Sequence, residues 1–323
     1  MIKTQYPQPK KSLNAQGKPR NVGFELEFSG ISISETMKVL QSFGAQATNI
    51  LAVEAQFEHE LGVFNLELDA AFIKNIAKEN EFQSGDSTWF DILTQAASLI
   101  VPVEIVCPPI AIHQLHQLDP LLDALRQAGA KGTSESPLAA YGVHINAETP
   151  ALDVTTLYQY LLAFCLMQWW LVEAHEVDLT RRLSPFVDLF PENYLQHLIE
   201  QGPPSDEKTL IHDYIQFNPT RNRALDMLPL FSWIDNELVQ GQIDSKLIKK
   251  RPTFHYRLPN CHIEKHSWSL RDEWLRWLEV EYLANDPQAL MSLAKNYSES
   301  HTFLLGVNRK QWVEKIETWR QDR

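Results

Sequence analysis

Five segments of this chain alternate apolar and polar residues with a period of two, and their polar positions carry chemically active side chains. In Val22-Gly23-Phe24-Glu25-Leu26-Glu27-Phe28, the residues Phe24, Leu26 and Phe28 project one way and Glu25 and Glu27 the other. Residues 63–70 set Phe64, Leu66 and Leu68 against Asn65, Glu67 and Asp69. In 102–106, Glu104 lies opposite Val103 and Ile105, and in 141–148 Val143 and Ile145 oppose His144, Asn146 and Glu148. Phe254, Tyr256 and Leu258 alternate with His255 and Arg257. An ordinary half-solvated antiparallel sheet would also alternate. The choice of polar residue argues for more: Glu and Asp are poor strand formers, and clustered carboxylates repel unless a cation or a proton joins them. The pattern predicts an α+β chain with a curved, mainly antiparallel sheet. One face packs on helices and the other is a polar, catalytic face.

The helices are marked by their ends. Asp119-Pro120 before LLDALRQA and Gly129 supplies a cap, a proline at the first turn and a glycine stop. Ser34 can cap ETMKVLQSF, which ends at Gly44, and Asp153 can open an apolar helix running to about Val172. Trp274, Trp277, Leu278 and Tyr282 form a stripe on a helix near 269–284, and Asn308 can cap a last helix carrying Trp312, Ile316 and Trp319. The run 157–172 is interrupted by Gln159 and Gln168 and falls short of the roughly 20 apolar residues of a membrane span. It reads as a buried helix. Residues 1–19 hold Lys3, Lys10, Lys11 and Lys18 without an acid and without the apolar run of a signal peptide, so they are expected to be a flexible basic arm ahead of one catalytic domain over 20–323.

Charge narrows the function classes. With 29 Lys+Arg against 41 Asp+Glu the chain has a formal net charge of −12. That sign disfavours a general binder of nucleic acid or anionic membranes. Three cysteines make no disulfide framework, which suits a reducing compartment, and a cytoplasmic location is expected.

If Glu25, Glu27, Glu67, Glu104 and His144 converge, they make an oxygen-rich site with one imidazole, suited to Mg²⁺ or Mn²⁺. Magnesium sites commonly pair a few carboxylates with substrate phosphates. Arg221 and Arg223, two apart, together with Arg257, Arg181 and Arg182, offer phosphate partners. No G-x-G, no G-x-x-x-x-G-K-[ST], no H-E-x-x-H, no G-x-S-x-G and no C-x-x-C is present. Cys261, His262 and His266 are a weak zinc signal and read as packing residues. Any handling of nucleotide phosphates must therefore use metals and arginines on a sheet.

Residues 20–28, RNVGFELEF, resemble the opening strand of the putative amidoligase family, which groups with carboxylate–amine ligases of the glutamine synthetase and glutamate–cysteine ligase fold. Val103-Glu104-Ile105-Val106-Cys107-Pro108-Pro109 resembles its second signature, with Cys107 where the family has Ser. Gly142-Val143-His144-Ile145-Asn146 resembles its G-x-H-x-[HN] strand, and residues 213–226 and 251–257 its C-terminal blocks. The resemblance covers about residues 20–285 and implies an ATP-dependent ligase that makes an amide or peptide-like bond through an acyl phosphate. Carried over, it implies Glu25, Glu27, Glu104 and His144 as metal ligands, with Asn146, His144, His255 and Arg223 near the nucleotide. It implies Arg257, Arg221 and Arg223 at the transferred phosphoryl group and Glu67 among the catalytic residues. Glu67, Asp69 and Glu148 are alternative bases for the amine. The cofactors implied are ATP and Mg²⁺ or Mn²⁺; the partners are a small-molecule or peptide carboxylate and an amine. A metal-dependent small-molecule kinase, a phosphohydrolase or a non-catalytic nucleotide-binding protein would use the same residues.

Overall fold

A computed structural model describes residues 5–50, 54–68, 103–133, 141–183, 187–243, 248–301 and 306–323. Asp69 lies outside the described residues. The strands are β1 (Asn21–Phe28), β2 (Gln46–Ile50), β3 (Glu54–His59), β4 (Gly62–Leu68), β5 (Val103–Val106), β6 (Ile110–Ala111), β7 (Val143–Glu148), β8 (Leu225–Asp226) and β9 (Thr253–Tyr256). They form one open sheet in the order β2-β3-β4-β5-β1-β7-β9-β8, with β6 also on β1, and all pairs are antiparallel. The five alternating segments are β1, β4, β5, β7 and β9, and they sit together in the middle of the sheet. The chain is α+β, as the alternation predicts.

The helices used below are α1 (Ile33–Ser42), α2 (Asp119–Ala128), α3 (Val154–Ala174), α4 (Leu179–Leu183), α5 (Glu192–Gln201), α6 (Glu207–Phe217), α7 (Leu228–Ile234), α8 (Asn236–Gln242) and α9 (Leu270–Ala284). Helix α3 starts at the Asp153 cap, whose side chain accepts from the Thr156 amide, and it is buried around most of its circumference. A helix that is apolar all round can only be stable inside a core. It packs behind the sheet: the Tyr160 ring stacks on Phe254 at 4.7 Å, and Trp277 of α9 lies 5.6 Å from Phe254 and 5.3 Å from Tyr256. The inward side chains of β1, Phe24, Leu26 and Phe28, are fully buried there. Among the described residues no helix is long and apolar enough to cross a membrane, and Cys107, Cys165 and Cys261 are buried and unpaired.

Three local expectations change. Helix α1 is capped by Ser32, two residues before Ser34, because Glu35 closes a reciprocal capping box with Ser32. Asp119 opens α2 after a 3₁₀ turn rather than capping it, and its carboxylate accepts from the Tyr6 hydroxyl at 3.0 Å; the stop at Gly129, with φ +101°, is where the sequence places it. Residues 5–19 are not a free arm. Tyr6 is buried, Trp274 Nε1 donates to the Pro7 carbonyl, and Asn14 Nδ2 donates to Glu148. Arg20 then anchors the start of β1 by two hydrogen bonds to Glu281 of α9, both side chains fully buried. The basic character of the segment hides the aromatic and amide contacts that hold it.

Candidate active site

Strand register builds the site. Across β3, β4, β5 and β1, Glu54 opposes Glu67, Glu67 opposes Glu104, and Glu104 opposes Glu27, so four glutamates form one row on one face. In the neighbouring row Glu25 opposes His144, and in the next Gly23 opposes Asn146, Asn146 opposes His255, and His255 opposes Asp226. Directly opposed side chains share a face and stand about 5 Å apart. Like charges in that arrangement destabilise a sheet, so the row needs compensation from outside it.

The polar contacts are dense. His144 Nδ1 lies 2.7 Å from Glu25 Oε2 and Asn146 Nδ2 donates to Glu25 Oε1 at 2.9 Å, while His144 Nε2 is 3.7 Å from Glu27 Oε1. The Gly142 amide donates to Glu27 Oε2 at 2.8 Å. Burial alone would raise the Glu25 carboxyl, but His255, the hydrogen bond from His144, and Arg251 outweigh it and hold the group well below the ordinary range. Glu104 is the opposite case. Burial, and then the charges of Glu25, Glu27 and Glu67, push it well above the ordinary carboxylate value. Among the described residues two donor groups could hold a cation: Glu27, Glu104 and His144, and Glu25, His144 and His255, each with ligand atoms within 4.8 Å of one another. Burial and the charge of Arg257 outweigh the opposing pull of Glu25 and keep His255 well below the ordinary histidine value. Oxygen donors with one or two imidazoles, and a carboxyl raised by uncompensated neighbours, fit a divalent ion of the magnesium or manganese type.

The arginines divide. Arg257 Nη2 donates to the fully buried Asp226 at 2.8 Å, and its Nε is buried without a partner among the described residues. Arg221 Nε is likewise unpartnered among the described residues; burial lowers this guanidinium, Asp226 opposes the change, and the charges of Arg257 and Arg251 add to it. Arg223 does not join them. Its Nη1 donates to the Leu189 carbonyl at 2.7 Å and its guanidinium lies 5.9 Å from the centre of the Phe190 ring. Residues 221–223 are not a strand, since β8 is only Leu225–Asp226, so a two-residue spacing does not place both arginines on one side. Glu67 is partly exposed and lies 3.6 Å from Lys249 Nζ. Glu148 is committed elsewhere, accepting from Asn14 Nδ2 and the Asn21 amide at 2.9 Å each.

Sequence reasoning missed Arg251, Asp226 and Glu54. Arg251 donates through Nε and Nη2 to Asn146 Oδ1 at 3.0 and 2.7 Å and through Nη2 to Glu25 Oε1 at 3.3 Å. It precedes Pro252 and β9, outside the alternating pattern. Glu54 carried a readable signal, the alternation of Ala55 and Phe57 with Glu54, Gln56 and Glu58. Arg181, among the sequence candidates, is buried, donates to the Arg257 carbonyl at 2.6 Å and lies against Gly142, where a Cβ would come within 1.8 Å of its Nη1. Gly142 is thus the notch that admits a guanidinium from α4.

A family profile described as "Putative amidoligase enzyme" matches residues 18–279, a span that contains every side chain of this site. No curated protein and no solved structure matches the chain.

Proposed function

This chain belongs to the amidoligase family, and from that premise we propose that it is an ATP-dependent carboxylate–amine ligase with the catalytic fold of glutamine synthetase and glutamate–cysteine ligase. The observation that carries the reading is the single sheet face on which Glu25, Glu27, Glu67, Glu104 and His144 meet Arg251, with Arg257 bound to Asp226 beside His255. Carboxylates at one end and arginines at the other suit a metal–nucleotide and the anion transferred from it.

Glu27, Glu104 and His144 would hold Mg²⁺ or Mn²⁺, which when bound neutralises the nucleotide phosphates. The substrate carboxylate oxygen attacks the γ-phosphorus of ATP, the bond to the bridging oxygen breaks, and ADP leaves. Arg221 and Arg257 supply donors for the equatorial oxygens of the phosphoryl group in flight, where charge is spread. The acyl phosphate formed has a good leaving group. The amine nitrogen attacks the acyl carbon, the carbon–oxygen bond to phosphate breaks, and phosphate leaves with that electron pair. Glu67, 31% exposed and so open to an incoming amine, takes the amine proton. Asn146 and His255, fixed by their mutual contact at 2.8 Å, border the nucleotide.

The test is release of ADP and phosphate from ATP and Mg²⁺ in a screen of amino acids, polyamines and short peptides. Glu27→Gln is expected to abolish turnover by at least about a hundredfold while far-UV dichroism stays unchanged. Full activity in Glu27→Gln would refute the assignment; a stable phosphorylated product, or hydrolysis that needs no amine, would replace ligation by kinase or phosphohydrolase chemistry.

A further inference from the structure

The two candidate cation positions are not equivalent, because one of them already contains a cation belonging to the chain. The group Glu25, His144 and His255 receives Arg251: its Nη2 lies 3.3 Å from Glu25 Oε1 and 2.8 Å from His255 Nδ1. Nη2 is therefore in contact with two of the three ligating residues. The guanidinium is held there by more than charge, since Nε and Nη2 both donate to Asn146 Oδ1, and Nη1 reaches the Lys249 carbonyl at 3.4 Å. Asn146 in turn donates to Glu25, so the arginine, the amide and the carboxylate close a ring of contacts. The other group, Glu27, Glu104 and His144, is flanked differently. The buried Arg181 lies against Gly142, whose amide donates to Glu27, and acts on Glu27 by charge while its Nη2 donates to the Arg257 carbonyl at 2.6 Å. The nearest basic side chain paired in that row is Lys249, on Glu67, and it is 77% exposed.

We propose that this is a site for one divalent ion plus one arginine: the ion binds at Glu27, Glu104 and His144, and the Arg251 guanidinium serves as the built-in cation at Glu25 and His255. The inference rests on the ligase reading only in taking the row to be a metal site. It follows physically from occupancy. A second divalent ion at Glu25 and His255 would have to expel a guanidinium in polar contact with Asn146, Glu25, His255 and the Lys249 carbonyl, and would meet its positive charge at close range if it did not. A guanidinium fixed at that position also presents fork-shaped donors toward an anion beside the ion, a role a hydrated metal fills less directionally.

The experiment counts ions. Mn²⁺ binding to the full chain without nucleotide is measured by electron paramagnetic resonance of free Mn²⁺ and by calorimetry, with a thermal melt of every variant. Wild type is expected to bind one tight Mn²⁺ per chain, and Glu104→Gln none. Arg251→Gln, which keeps an amide donor for Asn146 but removes the charge, is expected to bind a second Mn²⁺ at least about tenfold more tightly than wild type does. Arg251→Lys, which keeps the charge, is expected to return the count to one. A wild-type count of two, or a count in folded Arg251→Gln that stays at one, would overturn the proposal while leaving the metal site intact. A wild-type count of zero would overturn the metal site itself and this proposal with it. Because the wild-type count decides on its own, the test survives a variant that does not fold.

Discussion

Replacing Glu104 by Gln should make the metal-free protein more stable while removing its response to metal. Glu104 is flanked across the ladder by Glu27 on β1 and Glu67 on β4. Opposed side chains on neighbouring strands stand about 5 Å apart, and two unit charges at that distance repel by about 3 kcal/mol at an effective dielectric of about 20. The full repulsion is not stored, because a half-buried carboxyl in this position escapes part of it by taking up a proton, the direction in which desolvation and its three acidic neighbours push it. A neutral, nearly isosteric amide removes what is left, worth about 1–2 kcal/mol, or a rise of about 1.5–3 °C in the melting temperature of a chain of this size. The assay is a pair of thermal melts, in EDTA and in excess Mn²⁺. Wild type should melt lower than Glu104→Gln in EDTA and gain about 2–3 kcal/mol in Mn²⁺ at 100 times the dissociation constant. The variant should melt at the same temperature in both. A variant that melts below wild type in EDTA and still gains in Mn²⁺ would refute the reasoning, since Glu104 would then be neither repelled nor a ligand.

Two further outcomes follow from the packing around the site. Gly142→Ala places a Cβ 1.8 Å from Arg181 Nη1 and should cost about 2–4 kcal/mol in urea unfolding, with part of the loss recovered in the double variant that adds Arg181→Ala; additive losses would show that the two residues do not meet. Stability should also fall on mild acidification through the buried His175–Glu273 pair behind β9, where His175 contacts Glu273 and Tyr256. Burial holds His175 below its ordinary value, so its contribution is complete above about pH 6.5 and is lost as the pH falls through the lower folded value. For Glu273 burial pushes upward but His175 and Arg276 outweigh it, so its contribution is likewise lost only toward acid. His175→Asn should therefore flatten the decline of the urea midpoint just below pH 6.5, and an unchanged slope would assign that decline to other groups.

Much of the site was legible because it is made by strands. Period-two alternation put Glu25, Glu27, Glu67, Glu104, His144, Asn146 and His255 on faces of β1, β4, β5, β7 and β9, and antiparallel pairing of those strands makes the faces one surface. Register was not legible. That Glu27, Glu104 and Glu67 fall in one row, rather than staggered, depends on pairings set by the whole sheet. Residues outside regular strands escaped as well. Arg251 reaches Glu25 across 226 positions from a stretch with no periodicity to read. Arg223, two residues from Arg221, turns toward Phe190 because the segment between them does not follow the strand period. The packed condition of residues 5–19 depends on Glu148, Asp119 and Trp274, none of them local to that segment.

The position of β1 in the sheet bears on how the protein comes into being. The first strand of the chain is an interior strand, seated between β5 and β7, and its neighbours are synthesised about 80 and about 120 residues later. During that interval the segment must wait unpaired on the emerging polypeptide, with Phe24, Leu26 and Phe28 exposed and both edges open. Such a segment is a hazard for self-association. Glu25 and Glu27, placed between those three apolar residues, are charged interruptions that discourage identical strands from stacking on one another. The same two carboxylates proposed to grip a cation in the finished protein thus guard the nascent chain, and replacing both with neutral residues should raise the yield of insoluble protein even where the folded sheet tolerates the change.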